Sequence, residues 1–229
     1  MKNGSGVEAD RIGSLIVTPT GGLSQIHSSA IKRVLDLVLA SIAVVFLSPV
    51  LILVYALLKI FDPGPALFTQ LRVGKDGKTF TVYKFRTMRV DAQARLDQLL
   101  ASDPRAAAEW SEFQKLRNDP RVTLLGRLLR RSSLDELPQL LNIVRGEMSV
   151  IGPRPVTSAE VHRYGIYYPY YIAVRPGVLG LWQVSGRNRL TYPERIALDV
   201  RYVRTWTIWA DIVILFRAVP VVLFGKGAY

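Results

Sequence analysis

The chain contains no cysteine, which excludes disulfides and thiolate metal sites. Histidine is nearly absent as well. His27 and His162 are the two present, too few for a histidine-rich zinc centre. Acids are in short supply: 18 Asp and Glu stand against 30 Lys and Arg, so the 229 residues carry a formal charge of +12. A bound metal would therefore have to be held by carboxylates, which favours magnesium or manganese. So large an excess of Lys and Arg suits nucleic acid, an anionic membrane face or phosphorylated substrates. No secretory signal is recognisable, because the apolar run begins too late and no small-residue cleavage pattern follows it. The length fits one compact domain with an appendage.

Long apolar runs, by contrast, are present. Residues 1–30, rich in Gly, Ser and Thr and without periodicity, read as a flexible tail. Then comes KRVLDLVLASIAVVFLSPVLILVYALLKIFDPGP, apolar at nearly every position from Val34 to Ile60. As a helix it would reach roughly 40 Å, enough to span a bilayer. Ser48 and Pro49 sit near its middle. Pro49 has no N–H for the Val45 carbonyl and its ring crowds that turn, while Ser48 can bond back to a carbonyl, and both effects predict a kink. Lys32 and Arg33 precede the run and Lys59 closes it, so both ends carry the positive charge typical of cytoplasmic flanks. These features predict a bent, re-entrant helix over residues 31–62, with an ordinary kinked transmembrane helix as the alternative.

ALFTQLRVGKDGKTFTVYKFRTMR reads as a hairpin, two β-rich runs around a Gly-Lys-Asp-Gly-Lys turn. Phe80, Val82 and Lys84 share one face of the second strand. Lys84 is either a snorkelling edge residue or a charge turned towards a site. Residues 91–118 are polar, Ala-rich and helical in pattern, with a break at Asp103-Pro104. LLGRLLRR (124–131) interleaves leucine with arginine, as an interfacial amphipathic helix or a solvated basic face would.

Asp135 and Glu136 are the only adjacent carboxylates in the chain. Ser133-Leu134-Asp135-Glu136 fits a capping box, but Pro138 would then fall past the first turn. A helix starting nearer Asp135 accommodates Pro138 and lines up Leu137, Leu140, Leu141 and Val144 as an apolar stripe. Both acids then lie at the helix mouth, where free N–H groups favour the ionised form that a nucleophile or metal ligand needs. Capping needs one acid and leaves the second unexplained.

Arg154 stands between two prolines, which stiffen the backbone on both sides and present a guanidinium suited to bidentate phosphate binding. RPGVLGLWQVSGRN (175–188) brings Arg187 among glycine turns but lacks any P-loop or dinucleotide pattern. TYPERIALDVRYVRTW opens with Thr191, Glu194 and Pro193, a helix start. Its Ile196, Asp199, Val203 and Trp206 share a face, so Asp199 is either a helical partner of Arg195 or a carboxylate aimed into a basic site. The apolar C-terminal stretch suits the membrane surface.

From residue 31 to 229 the chain resembles the bacterial sugar transferases, the monotopic phosphoglycosyl transferases that act on polyprenyl phosphate. The likeness rests on the basic-flanked apolar run with Ser48-Pro49, KFRTM (84–88), DPRVTLLGRLLRR (119–131), SLDELPQLLNIVRGEMSVIGPRP (133–155), RPGVLGLWQVSGRN and LDVRYV (198–203). The short form is expected, similar to members that start exopolysaccharide repeats. The resemblance implies transfer of a hexose 1-phosphate, galactose or glucose, from a UDP-sugar to undecaprenyl phosphate with release of UMP and with Mg²⁺, Mn²⁺ being an alternative. It implies Asp135 as nucleophile and Glu136 in metal binding or proton transfer. It places Lys84, Arg154, Asp199 and, more weakly, Arg187 at the active site. A carboxylate attacking phosphorus to give an acyl phosphate is sound chemistry.

The expected fold class is α+β, mostly helical. A re-entrant membrane helix would precede a small cytoplasmic catalytic domain, residues 63–229, with a β-hairpin and interfacial amphipathic helices. The expected location is the cytoplasmic face of the bacterial inner membrane, among its lipids, with a homodimer left open. A non-catalytic basic membrane scaffold and a Mg²⁺-dependent hydrolase are the competing readings. A nucleic-acid binder would not need the apolar anchor and would show a binding signature that the chain lacks.

Overall fold

The computed structural model describes residues 29–224 apart from 114, 115, 117 and 118; of the expected tail, residues 1–30, the first 28 lie outside the described residues, while Ser29 and Ala30 cap and begin the first helix. The architecture is mostly helical, with two small two-stranded sheets.

Helix α1, Ala30–Phe61, is capped by Ser29, whose Oγ accepts the Lys32 N–H at 3.1 Å. It is long and apolar enough to cross a membrane. Helical structure runs through Pro49, and Ser48 Oγ donates to the Val45 carbonyl at 2.8 Å. That carbonyl is the one Pro49 leaves without its usual N–H, so the serine repairs what the proline removes. Both ends of α1 pack on the rest of the chain. Near the start, Lys32, Asp36 and Ala40 are buried; near the end, Val54 and Leu58 are. Between them Phe46 is 77% exposed.

Strands β1 (Leu67–Val73) and β2 (Thr79–Phe85) form the expected antiparallel hairpin, with Phe68 opposite Lys84. The turn uses left-handed Asp76 and Gly77, at φ 57° and 72°. Phe80 and Val82 bury in one cluster with Ala40, Ile143 and Met148, and the start of α1 is held by the segments around Ile143 and Ser149: Arg33 Nη1 donates to Ile143 O at 2.7 Å and Asp36 Oδ1 accepts from Ser149 Oγ at 3.0 Å. Val54 and Leu58 pack on Phe85, Ala66 and Leu129.

Helices α2 (Ala92–Ser102) and α3 (Pro104–Phe113) break where expected, at Asp103, whose Oδ1 accepts the Arg105 N–H at 2.8 Å. Helix α4, Leu124–Ser132, is amphipathic: Leu129 is buried while Leu124 and Leu128 are exposed.

The next segment departs from expectation. Ser133 is left-handed, φ 57°, and ends α4 instead of capping a new helix. Leu134–Gln139 is a 3-10 turn, and helix α5 begins only at Leu140 and ends at Arg145. Asp135 and Glu136 thus sit on a tight turn that Pro138 tolerates, not at an α-helix mouth. Nor is the apolar stripe the buried face. Leu141 and Val144 are 44% and 42% exposed, while Gln139, Asn142 and Ile143 are buried. Asn142 decides this orientation. Its Nδ2 donates to Thr81 O at 2.7 Å and Glu147 Oε2 at 2.6 Å, and its Oδ1 accepts the Tyr83 N–H at 3.3 Å. A polar residue bound to the β2 backbone outweighs the leucine periodicity, because buried backbone groups demand partners.

Strand β3 (Ser149–Ile151) pairs in parallel with β4 (Gly177–Leu179). Between them lie a 3-10 segment, Ser158–Tyr167, and helix α6, Tyr168–Ile172. After β4 come α7 (Leu181–Ser185), α8 (Tyr192–Arg204) and α9 (Ile208–Phe224). The α8 capping box forms as expected: Thr191 Oγ1 accepts the Glu194 N–H, and Glu194 Oε2 accepts the Thr191 N–H at 2.8 Å. Trp206, assigned to the face of α8, lies beyond its end and instead donates to Asp211 at 3.0 Å.

Candidate active site

The hairpin, the 3-10 turn, the loop after β3, and helices α7 and α8 line an open cavity of about 880 Å³. Lys84, Asp135, Glu136, Arg154, Arg187 and Asp199, taken from separate parts of the sequence, all line it. Ser48 and Pro49 do not; they lie in the middle of α1. Lys84 reaches the cavity from β2. Arg154 sits on a loop pinned by Arg72, whose Nη1 donates to Pro155 O and to Glu160 Oε2, both at 3.1 Å. Glu160 closes the loop through Thr157, whose N–H and hydroxyl both donate to it at 2.8 Å.

Glu136 is the electrostatic centre. Its Oε1 accepts from Lys84 Nζ at 2.5 Å and from Arg154 Nη1 at 3.3 Å. Burial alone would raise its pKa, but Arg154 and Lys84 outweigh that and bring it down to about 2. Asp135 goes the other way. Burial, then the neighbouring negative charge of Glu136, push it up to about 6. The expectation of ionised acids rested on free N–H groups at a helix mouth; Glu136 is instead held ionised by Arg154 and Lys84, while burial and a like charge act against ionisation of Asp135.

Asp199 is buried on α8. Its Oδ2 accepts from the Tyr164 hydroxyl at 2.8 Å, and its Oδ1 is buried without a hydrogen-bond partner. Burial raises its pKa to about 7. The helical pair with Arg195 does not form. Arg195 Nε donates to Leu190 O at 3.2 Å, and its guanidinium lies over the Trp182 ring at 4.8 Å. The bridge to Tyr164, from the 3-10 segment Ser158–Tyr167, takes the place of the local pair.

Residues 27–225 match the family described as bacterial sugar transferase. The chain belongs to that family. It is 48% identical over 208 residues to an undecaprenyl-phosphate galactose phosphotransferase of Salmonella typhimurium, covering 90% of this chain and 43% of the relative. It is 45% identical to the exopolysaccharide production protein ExoY of Sinorhizobium fredii, covering 93% of this chain and 91% of the relative. A UDP-glucose:undecaprenyl-phosphate glucose-1-phosphate transferase of Caulobacter vibrioides is 41% identical, covering 94% and 78%. The chain spans about half the length of some of these curated relatives, as the Salmonella protein shows.

Sequence reasoning missed several residues lining the sugar transferase cavity. Arg130 lines it, with Nε donating to Thr87 Oγ1 at 2.8 Å. LLGRLLRR signalled a basic helix but not which arginine turns inward. Trp182, Gln183, Tyr192 and Arg195 line it too; the first two belonged to a motif whose only named candidate was Arg187. Tyr164 had no signal at all, since its partner lies 35 residues away. The arrangement offers a half-buried acid with a pKa pushed up to about 6, a neighbour held ionised by two cations, and further basic side chains able to neutralise a diphosphate.

Proposed function

We propose that the protein transfers a hexose 1-phosphate, galactose or glucose, from a UDP-sugar to undecaprenyl phosphate, releasing UMP, as the first step of exopolysaccharide or glycoconjugate repeat assembly. The observation that carries the chemistry is the unequal acid pair, Asp135 and Glu136, in a cavity that also holds Lys84, Arg154 and Arg187. The names of the relatives supply the substrates.

An Asp135 carboxylate oxygen attacks the sugar-bearing phosphorus. The bond from that phosphorus to the bridging oxygen breaks, UMP leaves with the electron pair, and the sugar phosphate stays on Asp135 as an acyl phosphate. An oxygen of undecaprenyl phosphate then attacks the same phosphorus, giving the lipid diphosphosugar and restoring the carboxylate. No net proton is needed. Glu136, ionised far below neutrality, serves as counter-charge rather than acid, and Lys84, Arg154 and Arg187 neutralise the phosphates.

Among the described residues no three His, Cys, Asp or Glu side chains gather to cage a metal. Magnesium does not require such a cage, since it keeps waters and binds one or two carboxylates together with substrate phosphates. Asp135 and Glu136 fit that donor set. Both cations bind Glu136 Oε1, which leaves Oε2 outside that pairing. Bound there, Mg²⁺ or Mn²⁺ would neutralise charge building on the departing UMP.

Contact of both ends of α1 with the same folded body, at Ile143 and Ser149 for one end and at Phe85 and Leu129 for the other, favours the re-entrant reading, since a straight span would carry its ends to opposite faces. Exposed Leu124, Leu128, Leu141, Val144, Trp209 and Phe216 support a seat in the interface, at the cytoplasmic face where soluble nucleotide sugar and lipid headgroup meet.

The test is incubation of purified protein with undecaprenyl phosphate and a panel of UDP-sugars. Transfer yields UMP and a lipid diphosphosugar. Free sugar phosphate without lipid product would instead mean a hydrolase.

A further inference from the structure

One charged group in the cavity wall has no role in the transfer steps above. Glu160, on the 3-10 segment after β3, lines the cavity and keeps 36% of its side chain accessible. Three donors fix it: the Thr157 N–H and hydroxyl, both at 2.8 Å, and Arg72 Nη1 at 3.1 Å. All three bonds fall on Oε2, and Oε1 takes part in none of them. Burial alone would raise its pKa, but the Thr157 bonds, then the charges of Arg72 and Arg154, bring it below the ordinary value. The wall therefore presents an ionised carboxylate held in place through one of its two oxygens.

Closing the loop accounts for Oε2 and not for the charge. An amide at the same place would serve Thr157 as well, since Glu and Gln both act in such a cap. A carboxylate in a cavity that takes up a diphosphate also works against the phosphates, because like charges repel. Its surroundings show what it offers instead. Arg154 Nη1 lies 3.3 Å from Glu136 Oε1, next to the nucleophile, and the same arginine's charge reaches Glu160. Under the transfer reading, the phosphorus attacked by Asp135 comes to this arginine and carries the hexose through a single oxygen. The ribose is one phosphate further away. A hexose presents several hydroxyl donors. An ionised carboxylate is purely an acceptor and binds such donors through the stronger, charge-assisted kind of hydrogen bond.

We propose that Glu160 Oε1 accepts a hydroxyl of the donor's hexose and so takes part in selecting the sugar. This rests on the UDP-sugar reading above. Glu160 is a binding residue for the sugar and takes no part in bond making.

The experiment compares the full-length protein and Glu160→Gln in detergent or nanodiscs. Its probes are UDP-galactose and UDP-glucose, the monodeoxy analogues of whichever turns over faster, and UMP as inhibitor. Gln keeps an acceptor for Thr157, so the melting temperature should change little. In the variant the KM for UDP-sugar should rise by roughly five- to tenfold, the difference between a charged and a neutral acceptor, with kcat much less affected. The UMP inhibition constant should stay level or fall, since UMP has no hexose and the variant removes a negative charge. At least one monodeoxy analogue should raise KM for the unmodified protein by a similar factor, a result that needs no variant to fold. In the variant that penalty should shrink, because the two changes remove the same contact. A KM and a UMP inhibition constant that rise together would move the contact to the ribose and overturn the proposal. So would deoxy penalties identical in the two proteins, or none in the unmodified one. If the unmodified protein transfers no sugar, the transfer reading fails, and calorimetric titration of the UDP-sugars against UMP decides the contact by itself. Tighter binding of a UDP-sugar than of UMP, lost in Glu160→Gln, upholds it; the same difference in both proteins, or no difference in either, overturns it.

Discussion

Lys84 Nζ lies 2.5 Å from Glu136 Oε1, which ties β2 to the turn that carries the acid pair. Arg154 Nη1 reaches the same oxygen at 3.3 Å. The cavity therefore holds Lys84 and Arg154 around an internal carboxylate, and an incoming diphosphate must share them. Lys84→Ala and Arg154→Ala should each lower turnover, by roughly 10²–10³-fold if they stabilise developing phosphate charge. Arg154→Lys should stay nearer the alanine variant than the original, because an ammonium cannot reproduce the planar fork. Steady-state UMP release checks this, and near-normal rates in all three would make the ion pairs structural.

Asp135→Asn should abolish transfer, by roughly 10³-fold or more, with folding intact. In the unmodified protein, with the lipid acceptor withheld, one UMP per active site should appear and Asp135 should carry the sugar phosphate. Mass spectrometry of the trapped peptide reads this directly. UMP appearing only when both substrates are bound, with no adduct, would mean direct transfer and a different role for Asp135.

Glu136→Gln removes the partner of both cations and one of the carboxylates suited to a metal. Turnover should fall and the Mg²⁺ concentration needed for half-maximal rate should rise. A Mg²⁺ titration that superimposes on that of the original protein would remove Glu136 from metal binding.

Asp199 connects activity with stability. Its ordinary pKa is 3.8 and burial raises it to about 7 in the folded protein. The folded state thus holds the proton more tightly than the unfolded one. Stability from this group is present at low pH and is lost as pH rises from about 4 through about 7. Asp199→Asn removes that loss while keeping an acceptor for Tyr164. The variant should gain in melting temperature over the original more at pH 8 than at pH 5, and should turn over more slowly. An identical pH profile of melting for the two proteins would contradict this.

The topology can be read with single cysteines, because the chain has none of its own. Cysteines placed at Thr20 and at exposed Lys78 should both react with an impermeant reagent from the same side of sealed, oriented vesicles. Pro49→Ala should favour a straight span and shift the pattern towards opposite sides. Opposite-side labelling without the Pro49 change would exclude the re-entrant reading.

The hairpin, the break at Asp103, the amphipathic α4 and the Thr191–Glu194 cap were legible because each depends on residues close in sequence. The six polar candidates that line one cavity were legible as motif residues, but their pairings were not. Arg154 bonding Glu136 and Tyr164 bonding Asp199 are made across the fold, so no local spacing announces them. Where the reading failed, a long-range polar contact overrode a local rule. Asn142 turned α5 away from its leucine stripe, and after left-handed Ser133 a 3-10 turn stands where a helix starting near Asp135 was expected.

Both ends of α1 rest on the same folded body, at Ile143 and Ser149 for one end and at Phe85 and Leu129 for the other. Under the re-entrant reading, a body held that way would add area to one leaflet and none to the other. Its insertion then carries an elastic cost set by how loosely that leaflet is packed. The protein should therefore partition towards membranes whose inner leaflet is short of lipid or rich in small headgroups, and the packing of surrounding lipids becomes a variable of its abundance at the surface, independent of any contact inside the cavity.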